Sequence, residues 1–117
     1  MLIRFAFEAG DSTDNTSTCD SIIGLSIGDK IEMSVIDFNY NFNAGAFSGS
    51  TAQASDMAFT DVFDCFVYSD GGASYFVWEV TPGSGATAGS LEMVTIGATI
   101  PGTLSGWTQE YGVITVA

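Results

Sequence analysis

Lys30-Ile31-Glu32-Met33-Ser34-Val35-Ile36-Asp37-Phe38-Asn39-Tyr40-Asn41-Phe42 is the stretch that decides the fold class. Apolar and polar side chains alternate along it with period two, the mark of a half-buried strand, and no helical i, i+3, i+4 repeat competes. Ile31, Met33 and Val35 share one parity, whereas Ile36, Phe38, Tyr40 and Phe42 share the other. One unbroken strand would send the two sets to opposite faces. A β-bulge near Val35-Ile36 returns both to one face and leaves Glu32, Ser34, Asp37, Asn39 and Asn41 outward. The alternative is an unbulged strand that is apolar on both sides. We favour the bulge.

The same period extends in both directions. Upstream, residues 2–8 read as a strand with Ile3, Phe5 and Phe7 on one face, followed by a polar loop over 10–21. A short strand over 22–27 then leads into a Gly28-Asp29 turn. Downstream, residues 43–55 form a small-residue loop around Phe47, and 50–59 hold at most one turn of helix. Strands follow over 57–60, 62–68, 74–81, 91–96 and 111–116. Asp70-Gly71-Gly72 is a hairpin signal, because glycine tolerates the positive φ of tight turns. A two-residue Asp70-Gly71 turn would set Phe63 opposite Trp78 and Cys65 opposite Phe76, an aromatic cross-strand cluster. Residues 82–90 are a Gly/Ser loop too short to link domains, and Pro101-Gly102 marks a further turn. The expectation is a single all-β domain over 1–117, an antiparallel β-sandwich or jelly-roll-like fold of seven to nine short strands.

Fourteen Asp and Glu stand against one arginine, Arg4, and one lysine, Lys30, with no histidine, for a net charge of −12. Such a chain repels phosphate backbones and has no basic patch to release counterions, which argues against nucleic-acid binding. Anionic lipid surfaces are disfavoured for the same reason, and no segment approaches the twenty or so apolar residues of a membrane span. Fifteen aromatics and frequent β-branched residues exclude disorder. The start at Met1, with an apolar run too short for a leader peptide, suggests a protein made and used without export.

Catalysis finds little support. The serines have no histidine and one lysine to activate them, and Gly83-Ser84-Gly85 sits in a plain loop. Asp61 and Asp64 are the nearest carboxylate pair, but three residues apart on a strand they face opposite sides. Cys19 and Cys65 cannot make a tetrahedral zinc site without histidine. Cys65 reads as a buried thiol, and whether it bridges to Cys19 is left open. Calcium is the better metal option. Asp11, Asp14, Asn15 and Asp20 supply oxygens in one loop, yet their spacing departs from the Asp-x-Asp-x-Asp-Gly form, so a solvated acidic loop is preferred. Tyr75, Phe76, Trp78 and Trp107 could stack on sugars, but alternating strands more often bury such rings. No cofactor is expected and the protein is read as non-enzymatic.

Large side chains of both parities at Leu2-Ile3, Val35-Ile36, Val62-Phe63 and Phe66-Val67 suggest more apolar strand surface than a small sandwich can cover alone. Few charges guard the strand edges. Self-association and docking on other protein subunits follow as expectations, with Ile3, Phe5, Phe7, Phe47 and Trp107 as the contact residues. With its few lysines, Gly/Ser/Thr-rich strands, retained Met1 and small size, the chain resembles the small decoration, or cement, proteins of tailed-phage capsids. That resemblance implies a multimer on the outer face of a virion that clamps neighbouring coat subunits and has no catalytic residues. Residues 24–41 (Gly-Leu-Ser-Ile-Gly-Asp-Lys-Ile-Glu-Met-Ser-Val-Ile-Asp-Phe-Asn-Tyr-Asn) are similar to the Gly-Asp turn and following strand of bacterial surface-anchored β-sandwich proteins. This second resemblance implies an extracellular module that binds carbohydrate or calcium.

Overall fold

The computed structural model describes residues 2–56, 63–83 and 89–117. Among them nine short strands form two sheets, with two lone 3-10 turns at Ala54–Asp56 and Leu104–Gly106. The first sheet has the order β1-β3-β9-β8, from β1 (Arg4–Ala6), β3 (Lys30–Glu32), β9 (Val113–Thr115) and β8 (Thr108–Glu110). The second has the order β2-β7-β6-β5-β4, from β2 (Asp20–Ser21), β7 (Leu91–Gly97), β6 (Ser74–Glu79), β5 (Cys65–Ser69) and β4 (Phe42–Ser48). The all-β sandwich is therefore as the alternation predicts. Its sheets, however, are mixed: β1 runs parallel to β3, β2 to β7 and β4 to β5. Parallel neighbours need long connections, and the segments between β1 and β3 and between β4 and β5 supply them.

The stretch 30–42 is not one bulged strand. It leaves the first sheet after Glu32, turns at 36–38, and enters the second sheet at Phe42. The switch of parity at Val35-Ile36 thus marks a corner between sheets. Ile31, Met33 and Tyr40 all end in the inter-sheet core, with Val35 and Phe42 packed against it, while Ile36 and Phe38 stay exposed. Three further readings change. Residues 22–27 carry no strand, since the pairing with β7 stops at Ser21. Residues 43–48, expected as loop, join Phe42 in edge strand β4, with a register shift between Asn43 and Ala46. The strand expected over 57–60 and the start of that over 62–68 lie outside the described residues.

The β5–β6 hairpin closes through four residues, not two. Asp70 accepts hydrogen bonds from the N–H groups of Gly72 and Ala73, both at 2.9 Å, and Ser69 pairs with Ser74. Cys65 consequently faces Trp78, and Val67 faces Phe76. A shift of two places keeps Cys65, Val67, Phe76 and Trp78 on one face, but Phe63, expected opposite Trp78, packs instead against the cluster on the other face. The aromatic cluster on that face is built without Phe63: Phe76 stacks on Trp78 at 5.8 Å, and Phe7 tilts against Trp78 at 5.6 Å.

All six residues of β6 are buried, as are the first four of β5 and of β7. Such a sheet needs cover on both faces. One face packs on the first sheet through Cys65, Val67, Phe76, Trp78, Val94 and Ile96. The opposite face carries Phe66, Tyr68, Tyr75, Val77, Leu91 and Met93, with Ala54, Cys19, Phe47 and Phe63 against it. Segment 13–19 packs Cys19 on this second cluster and is joined to the β7 edge by a bridge from Thr13 to Met93 and to the Ala54 turn by one from Asn15 to Gln53. Loops therefore act as a third layer. The expectation that one small sandwich cannot bury both parities is overturned for the central strands, because the polar loop is itself a cover. Among the described residues, what remains outside is a smaller set of large side chains: Leu2, Ile3, Ile23, Ile27, Ile36, Phe38 and Tyr111.

Candidate functional site

The acidic loop comes first, because carboxylates near one another would be its route to calcium. Each of these side chains instead accepts hydrogen bonds from the protein itself. Asp11 accepts from the Glu8 N–H at 2.7 Å, Asn15 from the Ser17 N–H and hydroxyl, and Asp20 from the Ser21 N–H. Asp14 reaches furthest, accepting from Gln53 Nε2 and the Gly89 N–H, both at 2.9 Å. Among the described residues no three His, Cys, Asp or Glu side chains gather as a metal site. The sequence missed Glu92, which is buried and accepts from the Gly10 and Ser12 N–H groups at 3.0 and 2.9 Å. It pins the loop onto β7 from beneath, beside an open depression of about 390 Å³. The Ser12 hydroxyl there donates to the Met93 carbonyl and accepts from the Asp20 N–H, so it is held as a structural group.

The thiols are kept apart. Cys65 belongs to the inter-sheet core and Cys19 packs on the opposite face of the same sheet; both are free. Burial, with Asp64 and Glu79 adding to it, pushes the Cys65 thiol well above its ordinary range. It is no nucleophile at neutral pH. Asp64 accepts from the Asn41 N–H at 2.8 Å, while its sequence partner Asp61 and the residues Ser84-Gly85 lie outside the described residues. Phe76 and Trp78 are wholly buried and Tyr75 nearly so, its hydroxyl donating to Asp70 at 3.2 Å.

Of the five expected contact residues, the structure leaves one exposed. Ile3 is on the surface, Phe5 is half-buried against the core, and Phe47 is half-buried between Phe63 and Phe66 at 5.9 and 5.7 Å. Phe7 and Trp107 are corrections. Phe7 closes the core over Trp78, and Trp107, 4 % exposed, donates its indole N–H to the Pro101 carbonyl at 3.3 Å. Both satisfy their own protomer.

Exposed aliphatics collect instead on segment 22–28 and its neighbours. Ile23 is 89 % and Ile27 64 % exposed, whereas Ile22 and Leu25 between them are buried. Asp29 fixes this corner. Its buried carboxylate accepts from the Ile3 N–H at 2.9 Å, the Ser26 N–H at 3.0 Å and the Ser26 hydroxyl at 3.2 Å. The hydrogen bond from Ile3 does most to hold that carboxyl below its usual range; desolvation opposes it without prevailing. No alternation could flag Ile23 and Ile27, because the pattern 22, 25 buried and 23, 27 exposed follows a loop.

The outer face of the first sheet holds both of the chain's cations. Arg4 and Lys30 are cross-strand partners; Arg4 bridges Glu32 at 2.9 Å, and Lys30 donates to the Thr115 hydroxyl at 2.8 Å. They line a shallow groove of about 260 Å³ with Thr108, Glu110, Tyr111 and Val113. A scan against protein-family models finds no match for the chain, and a search of curated proteins finds none.

Proposed function

We propose that this protein is a non-enzymatic structural subunit that works by docking on other protein subunits, as a decoration protein on the outer face of a virion capsid. The observation that carries the reading is the set of exposed aliphatics Ile3, Ile23 and Ile27, the first and last flanking the corner that the Asp29 carboxylate ties together. Exposed aliphatics on a fixed frame bind without a large ordering cost. A chain that tucks Phe7 and Trp107 inside yet leaves Ile3, Ile23, Ile27 and Ile36 exposed fits a surface that a neighbour covers. The composition shared with phage decoration proteins agrees with that role, and the acidic outer loops suit a face turned to solvent.

The test uses purified tailed-phage particles from the source of this sequence, by mass spectrometry and immunogold labelling. The chain is expected in stoichiometric amount on the outer shell. Ile23→Asp and Ile27→Asp, both at exposed positions, are expected to weaken binding to the stripped shell at least about tenfold, or roughly 1.4 kcal/mol. Particles that lack the chain, or binding untouched by both substitutions, would overturn the proposal.

A further inference from the structure

The register of the first sheet sorts the charges on its outer face into two rows. Arg4, Lys30, Thr115 and Thr108 are aligned across the four strands, and Ala6, Glu32, Val113 and Glu110 form the next row. Alternation sends the intervening Phe5, Ile31, Ile114 and Gln109 the other way, toward the core. One row therefore carries two positive charges and its neighbour two negative ones. The patch sums to zero in a chain of net −12, and every other charged residue of the chain is an acid.

We infer that this face is where a second copy of the chain binds, in a two-fold pair whose axis runs across the strands between the two rows. This inference specifies the self-association within the structural role proposed above. Such an axis lays the basic row of one protomer on the acidic row of the other. Lys30 meets the partner copy's Glu32 and is met in return, with Arg4 alongside. Self-complementary contact of this kind is what a two-fold interface requires. Any approach through another charged surface brings acid against acid, whereas here opposite charges oppose one another. The side chains also suit an interface core, with Arg and an exposed Tyr111 among Thr and Val.

Four strands at about 4.8 Å spacing offer only a few hundred Å², below the roughly 800 Å² per partner of a standard interface. The rims must therefore take part. Leu2, 71 % exposed, stands on the same parity as Arg4 at one end, and Tyr111 stands at the other. The axis keeps each strand over the same strand of its mate, so Leu2 extends the contact at the β1 edge and Tyr111 at the β8–β9 edge.

The test is sedimentation velocity on the full chain at about 0.15 M salt, where the screening length is about 8 Å, up to about 1 mM protein. A dimer is expected. Lys30→Glu and Glu32→Lys, each alone, should weaken it at least about tenfold, and the double exchange should restore it to within a few-fold. Thr108, an exposed residue, lies over the partner copy's Glu110 in this arrangement. Thr108→Lys should tighten the pair and Thr108→Glu loosen it, with no burden on folding. A monomer throughout, or a dimer indifferent to Thr108→Lys and to the charge exchange, overturns the inference. A monomeric chain that is still present on particles would leave the structural role standing, and a charge-sensitive dimer absent from particles would do the reverse.

Discussion

Asp29 shows how much one side chain can settle. It takes three hydrogen bonds from two segments that meet only in the folded chain, and thereby ties the start of β1 to the turn before β3. Its folded-state pKa is depressed, so its stabilisation is complete above the ordinary carboxylate value of about 3.9 and is lost as pH falls through the lower folded value. Asp70 behaves alike, held down first by the Gly72 N–H and then by that of Ala73. Thermal melts from about pH 6 to pH 2 should therefore show a midpoint that drops below about pH 4. Asp29→Asn should melt lower at neutral pH and show a shallower acid slope. An unchanged slope would deny Asp29 this role. Nothing in the sequence marks Asp29 as buried, since Gly-Asp is equally a solvated turn; the distant Ile3 N–H decides it.

At the scale of elements, the hairpin β8–β9 is the clearest case of local chemistry under tertiary constraint. Tyr111 and Gly112 both have positive φ, 53° and 79°, as a tight primed turn demands. Tyr111 N–H is held by Asn39 Oδ1 at 2.9 Å, which offsets the strain of a left-handed tyrosine. Gly112 has a second reason to be glycine: a Cβ there would collide with the Val35 carbonyl and the Ile36 backbone. Gly112→Ala is thus expected to cost about 1–3 kcal/mol in urea unfolding, whereas the open Gly71→Ala should cost less, its Cβ meeting nothing. Equal losses at both sites would contradict the steric account. Strands β6 and β7 were legible because their aromatic and β-branched runs are bounded by Gly and Pro. Strands β4 and β8 were not, being an Asn/Ala/Gly segment and a Thr-Gln-Glu triplet whose pairing comes from their neighbours.

Over the whole molecule, charge and layering work against each other. Twelve unmatched negative charges repel within one compact body, with a radius of gyration of 12.4 Å. Screening falls from about 30 Å at 0.01 M salt to about 8 Å at 0.15 M, so added salt should relieve that repulsion. Melting midpoints of dilute protein are expected to rise by several degrees over this range. A fall would mean that the Arg4–Glu32 bridge and its like outweigh the global repulsion. Against that repulsion stand two apolar clusters on either side of one sheet, with Trp78 and Phe76 in one and Phe66 and Tyr68 in the other.

By itself the sequence determined the class of fold, the placing of Trp78 and Phe76 on one strand face, and the confinement of both cations to segments 2–8 and 30–42, which only the β1–β3 pairing sets side by side. These follow from period-two alternation and from composition, which are local. Only the tertiary structure decided that residues 30–42 turn a corner between sheets, that polar segment 13–19 covers a second apolar cluster, and that Phe7 and Trp107 are core while Ile23 and Ile27 are surface. Which face of a strand meets solvent depends on what else packs there, and the covering elements lie many residues away along the chain.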